Sequence, residues 1–119
     1  MVLVDTSVWI DHFRDSNKRL VALLESGTVV IHPFVLGELA CGNLHNRKEM
    51  ISLLHALPQA SRVEDDDVLF FIERHRIMGQ GIGLIDAHLL AACHVDTALL
   101  WTTDKRLREL ASALNIAFT

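Results

Sequence analysis

Short apolar runs alternate with segments of helical periodicity along the whole chain. Val2-Leu3-Val4 is a continuous apolar run, the pattern of a strand buried on both faces. Asp5-Thr6-Ser7 then supplies short polar side chains to start a helix from about Ser7 to Phe13. A second helix, about Asn17 to Glu25, carries Leu20, Leu23 and Leu24 at helical spacing and stops at Gly27. Thr28 to Ile31 reads as the second strand, ended by Pro33. Phe34 to Gly42 reads as a helix with Leu36, Leu39 and Ala40 inward, followed by a loop at Asn43 to Asn46. Arg47 to Ala56 is a further helix, with Met50, Ile51 and Leu54 on one face and Leu57-Pro58 as its breaker.

In the second half, Ala60 to Val63 suggests a short third strand. Glu64-Asp65-Asp66-Asp67 precedes Val68, Phe71, Ile72 and His75, an amphipathic stripe. Acids at a helix start interact favourably with its dipole, by ~0.3–1 kcal/mol each, and so need no functional explanation. Gly79-Gln80-Gly81-Ile82-Gly83 lacks the preceding strand and the Lys-Ser/Thr of a phosphate loop, and reads as a mobile loop delivering Asp86. A helix from Ile85 to Cys93, a buried strand from Leu99 to Thr102, a helix from Asp104 to Leu114 and a last short strand from Ile116 to Phe118 follow. Strands separated by helices predict an α/β fold: a mainly parallel central sheet flanked by helices, in three layers.

Composition narrows this further. A chain of 119 residues, 50% apolar, suits one domain with a core that needs no disulfides. Cys41 and Cys93 lie in apolar helical contexts and read as reduced core thiols, without the paired Cys/His spacing of a zinc site. No signal peptide and no bilayer-spanning apolar run is expected, so a cytoplasmic location is predicted. The formal net charge of −4 does not exclude nucleic acid. If four acids form one site, the rest of the chain is neutral and its basic residues can face phosphates.

Four carboxylates stand where strands or loops hand over to helices. Asp5 closes the first apolar run, Asp104 closes the run Ala98 to Thr103, Glu38 lies one turn into the helix after the second strand, and Asp86 opens an apolar helix. Each alone can be a cap or a solvated helix position. Together, at the carboxyl ends of parallel strands, they would line the crevice where such sheets bind ligands. A carboxylate-only set favours Mg2+ or Mn2+ over zinc. Thr6, Ser7, Thr102 and Thr103 flank two of the acids and can orient them or cap helices. Lys105, Arg106 and Arg108 are the first choice for a phosphate-facing rim, with Arg14, Lys18 and Arg19 next. Asp11, Asp67 and Asp96 are left to helix surface, helix start and turn, and His12, His45 and His75 to polar or loop surfaces. His88, two residues past Asp86, points to another face. Four like charges held close predict at least one raised pKa and a destabilised metal-free fold.

The segments Val4-Asp5-Thr6-Ser7-Val8-Trp9-Ile10-Asp11, Val35-Leu36-Gly37-Glu38-Leu39, Ile85 to Ala92 and Leu100 to Leu107 resemble the PIN domains, most closely the VapC-type toxin ribonucleases. The likeness covers essentially the whole chain, as a single PIN-like domain over residues 1–119. It implies that Asp5, Glu38, Asp86 and Asp104 are the acidic quartet holding Mg2+ or Mn2+, and that Thr102 is the hydroxyl of the Thr-x-Asp pattern. It also implies a cytoplasmic endoribonuclease, a homodimer, neutralised by a VapB-type antitoxin. The alternatives are a structure-specific or other DNA nuclease with a similar site, a phosphotransfer domain and a silent binding module. A phosphotransfer site of the haloacid-dehalogenase type needs an Asp where Ser7 stands, and a receiver needs an acidic pair at the first strand.

Overall fold

The computed structural model describes residues 1–119. Its elements are β1 (Val2–Val4), α1 (Thr6–Arg14), α2 (Lys18–Glu25), β2 (Val29–Val30), α3 (Pro33–Ala40), α4 (Arg47–His55), α5 (Asp65–His75), α6 (Leu84–Asp96), β3 (Leu99–Trp101) and α7 (Lys105–Ala113). The three strands form a parallel sheet in the order β2-β1-β3. Val2 pairs with both Val29 and Leu99, and Leu3 with both Val30 and Leu100. The first strand of the chain is therefore the middle of the sheet. All three of its residues are buried, as its unbroken apolar run requires.

Two segments predicted as strands are shorter than expected. Ala60 to Val63 forms no strand; a single parallel bridge joins Ile31 to Gln59, held by Ile31 N–H to the Pro58 carbonyl (2.9 Å) and Ala60 N–H to the Ile31 carbonyl (2.8 Å). Ile116 to Phe118 likewise contributes one bridge, Leu100 to Ala117. In both cases the chain touches the sheet edge and leaves: Pro58 has no N–H for a longer ladder, and Asn115 (φ 61°) turns sharply just before the second bridge. The last strand is also less buried than its sequence suggests. Leu99 is exposed, Trp101 is half-buried against Phe118, and only Leu100 and Thr102 are enclosed.

One core cluster of 27 buried residues draws on every helix and strand. The helices behave as their caps dictate. Asn17 accepts from Leu20 N–H at the start of α2, and Pro33 occupies the first turn of α3. Asp65, Asp66 and Asp67 fill the first turn of α5, where the dipole favours them. Helix α6 runs to Asp96, three residues beyond the predicted end, and contributes seven consecutive buried residues from Ala87 to Cys93. Over those seven residues the helix is buried on all sides, with His88 the one polar side chain among them. Cys93 lies inside it, its thiol pushed up to about 12 by burial and then by Asp96. Cys41 departs from the sequence reading: it caps the end of α3 and is exposed, because the helix stops there and the chain turns into solvent. Arg19 is also reassigned. Its guanidinium lies 4.3 Å from the Phe118 ring centre and 5.7 Å from that of Trp101, a packing contact rather than a free rim charge.

Leu3 has no exposed surface at the centre of this sheet. Leu3→Ala is expected to destabilise the fold by about 2–5 kcal/mol in urea unfolding. A loss well under that range would mean that β1 is not the packing centre.

Candidate active site

The parallel register brings Asp5 and Asp104 to one end of the sheet, with Glu38 on α3 reached through Thr6 and Asp86 on α6 within electrostatic range. Asp5 follows β1, and its N–H continues the β1–β3 ladder to the Trp101 carbonyl at 2.9 Å. That bond places Thr102 beside it. The Thr102 hydroxyl donates to Asp5 Oδ2 (2.8 Å), and so does the Ser7 hydroxyl (2.9 Å). Asp5 occupies the N-cap position of α1 yet its side chain makes no cap hydrogen bond. In place of a backbone cap bond, the carboxylate accepts from the Ser7 side chain in the first turn and, across 97 residues of sequence, from Thr102. A capping role alone does not account for that geometry.

Asp104 is different. Its Oδ1 accepts from Leu107 N–H at 3.1 Å, a true N-cap of α7, while its own N–H donates to Thr102 Oγ1 at 3.0 Å. The Thr102 hydroxyl thus joins the two acids, donating to one and accepting from the backbone of the other. Glu38 lies in the second turn of α3, exposed, and accepts from the Thr6 hydroxyl at 2.7 Å. Asp86 is the third residue of α6 rather than its first, since the helix begins at Leu84 with Gly83 as N-cap. Thr103 is exposed, and its N–H donates to Ser7 Oγ at 3.1 Å.

Asp86 carries the electrostatic strain of the group. Burial raises its pKa above the usual Asp value, and Asp5, Asp104 and Glu38 each add to the rise, while the Gly83 N–H opposes it. The other three acids have means of sharing their charge. Asp5 has two hydroxyl donors, Asp104 a helix N-terminus and Glu38 both water and Thr6. Half-buried Asp86 has the fewest, so the repulsion expected of four like charges falls there. The donor set is entirely oxygen and suits a hard divalent cation. No three Asp, Glu, His or Cys side chains stand at metal-ligand spacing, so the carboxylates would have to draw inward to bind one. Like charges on separate elements resist that closure unless a cation offsets them.

The basic residues separate. Lys105 and Arg106 line a polar cleft beside Asp104, and Arg14 lines an apolar cleft with Glu38. That second cleft, about 590 Å³, has Ile10, Phe13, Leu39 and Met50 in its walls. Arg108 and Lys18 are exposed and line neither cleft. His12 and His75 are half-buried rather than on polar surface: His12 Nδ1 accepts from Asn17 N–H, and His75 packs between Phe71 and His94. His88 is buried against Phe34, on the core face of α6, with Nε2 3.6 Å from Asp65. His32, unremarked in the sequence, is also buried, and burial with the nearby His88 and Arg62 lowers its pKa to about 4. Asp96 ends α6 and accepts from the backbone N–H and hydroxyl of Ser61. Arg76 and Gln80, absent from the sequence-based set, line the polar cleft with Lys105.

Residues 2–113 match the PIN domain. The chain belongs to the PIN-domain family. Within that family it is of the VapC type. It is 43% identical over 118 residues to Ribonuclease VapC32 of Mycobacterium tuberculosis, in strains CDC 1551 / Oshkosh and ATCC 25618 / H37Rv, covering 98% of this chain and 95% of each relative. A PIN domain is an α/β fold, in agreement with the parallel sheet and its flanking helices. No helix is long and apolar enough to cross a membrane.

The raised pKa of Asp86 has a testable sign. Between the ordinary Asp value of about 4 and the raised one, the folded PIN domain binds more protons than the unfolded chain. Metal-free stability contributed by Asp86 is therefore present below that window and lost as pH rises through it. Asp86→Asn should raise the metal-free melting temperature at neutral pH and flatten its fall with pH. A lower melting temperature in the variant would make Asp86 a structural residue. Separately, Thr102→Val keeps the shape of a buried side chain but removes the hydroxyl's contacts with Asp5, the Asp104 N–H and Ser7. A loss of about 1–3 kcal/mol in denaturant unfolding is expected.

Proposed function

We propose that this PIN domain is an endoribonuclease toxin that cuts RNA with Mg2+ or Mn2+, using Asp5, Glu38, Asp86 and Asp104 as both ligands and catalytic groups. The observation that carries this reading is the Asp5 carboxylate. It stands at a helix start without capping the helix, and is held instead by Thr102 and Ser7, while its charge, with those of Asp104 and Glu38, reinforces the rise at Asp86. The name of the 43% identical relative, a ribonuclease, supports RNA over DNA as substrate.

When bound, the divalent cation supplies Lewis acidity, acidifying a water and offsetting the charge that develops on the phosphate. The chain's own residues set the geometry. Ser7 and Thr102 both donate to Asp5 Oδ2 and leave Oδ1 open to a ligand. Thr6 orients Glu38 in the same way through Oε1. Because the α7 cap occupies one oxygen of Asp104, a single oxygen of that residue is open to a ligand. Lys105, Arg106, Arg108 and Arg14 form the rim that positions the phosphodiester backbone. In-line attack by water breaks the bond to the 3′ oxygen. The products are a 5′-phosphate and a 3′-hydroxyl.

The VapC-type likeness supports three further assignments: a VapB-type antitoxin partner, a homodimer, and action in the cytoplasm as a single nuclease domain over residues 1–119.

The test is cleavage of total cellular RNA by purified protein with Mg2+ or Mn2+, with EDTA, and with Asp5→Asn. We expect metal-dependent cuts that fall at least 100-fold in the variant, the scale on which a catalytic electrostatic group acts. End mapping should find 5′-phosphates. A 2′,3′-cyclic phosphate would indicate attack by the RNA's own 2′-hydroxyl and overturn the mechanism.

A further inference from the structure

A polar cleft of about 710 Å³ lies between the C-terminal end of α5, the glycine loop and α7. Arg76, Gln80, Lys105, Arg106 and Glu109 line it, three fixed cations against one carboxylate. Lys105 and Arg106 follow Asp104 directly, so the cleft opens within one helical turn of the acidic site. None of the three cations lies within ion-pair distance of a carboxylate.

The glycine loop is fitted to one of them. Gly81 has φ +80°, a conformation that L side chains rarely adopt. A Cβ there would also collide with the Arg106 guanidinium and stand 2.9 Å from its Cδ. Arg106 therefore lies directly on the loop backbone, in space that a side chain at position 81 would fill. Arg76, the C-cap of α5, is itself left-handed (φ 54°), which ends the helix at the cleft wall.

Building on the ribonuclease reading above, we propose that this cleft is the track of single-stranded RNA on one side of the scissile phosphate. Arg76, Lys105 and Arg106 neutralise its phosphates, and Gly81 is the positioning residue for Arg106. The apolar cleft at Glu38 offers a phosphate backbone only Arg14 as a fixed cation. Charge complementarity therefore selects the α5–α7 side.

The test uses the full-length Asp5→Asn protein and a labelled oligouridylate, with affinity measured across a salt series. Arg76→Ala and Lys105→Ala should each reduce the slope of log affinity against log salt by about 0.7, the value for one lost phosphate contact on a single strand. Lys48→Ala, an equal charge removed from α4 outside both clefts, should leave the slope unchanged. Gly81→Ala should weaken binding several-fold, and should add far less when Arg106 is already Ala, because the collision partner is gone. Unchanged slopes in Arg76→Ala and Lys105→Ala overturn the track. Additive losses for Gly81 and Arg106 overturn the positioning role. If Gly81→Ala lowers the melting temperature, the two exposed cation variants decide the proposal. If the unaltered protein neither cuts nor binds RNA, the ribonuclease reading itself falls; if it cuts while the variants behave as their parent, only the track falls.

Discussion

The pairing of β1 with strands on both sides is the constraint on which the rest of the structure depends. Val2 and Leu3 pair with β2 on one edge, and Val2 to Val4 pair with β3 on the other. Parallel pairing sends all three strands toward the same end of the sheet, so the residues that follow them emerge together. Asp5 and Thr102 meet because they follow adjacent strands in register, and the Asp5 N–H to Trp101 carbonyl bond extends the ladder into the site itself. A slip of one residue would turn Asp5 to the opposite face and bury a wrong side chain in each strand. Fold stability and site geometry are thus a single property of this register.

That end of the sheet concentrates charge of one sign, and the structure distributes the burden unevenly. Asp5 is nearly enclosed but has two hydroxyl donors, Asp104 works as a helix cap, and Glu38 stays in water. Asp86 is left half-buried with three acids near it and the Gly83 N–H against the trend. An all-oxygen set of this kind suits a hard divalent cation, whose charge would offset the repulsion that raises Asp86. Ser7 and Thr102 are central to the balance. They hold Asp5 in place without adding charge, and Thr102 links Asp5 to the backbone of Asp104.

Much of this was legible along the chain because the relevant signals are local. A continuous apolar run means a two-sided strand, Asn17 means a helix start, and an acid after an apolar run means a strand end facing a crevice. The missed features depend on partners distant in sequence. The segments from Ala60 and from Ile116 read as strands because they are apolar, but a strand's length depends on how far its neighbour runs alongside, and the only bridges there are at Gln59, just before the first, and at Ala117 in the second. Cys41 looked buried from its apolar helix, yet the end of α3 faces solvent. Arg19 looked like a free cation until Phe118, from the far end of the chain, was found beneath it.

By itself the sequence determined the α/β class, the order of elements and which acids follow strands, since hydrophobic period and capping chemistry act over a few residues. Tertiary structure alone decided which of those acids is a cap and which is not. Asp5 and Asp104 occupy the same kind of position at a helix start, but only Asp104 caps its helix through a backbone N–H, while Asp5 accepts from the hydroxyls of Thr102 and Ser7 instead. It also decided which cations share a cleft: Arg76, at the end of α5, lines one cleft with Lys105 and Arg106 of α7, and Arg106 lies in space that a side chain at Gly81 would fill. Contacts between residues far apart in sequence exist only once the chain has closed on itself, and no local pattern of polar and apolar positions encodes them.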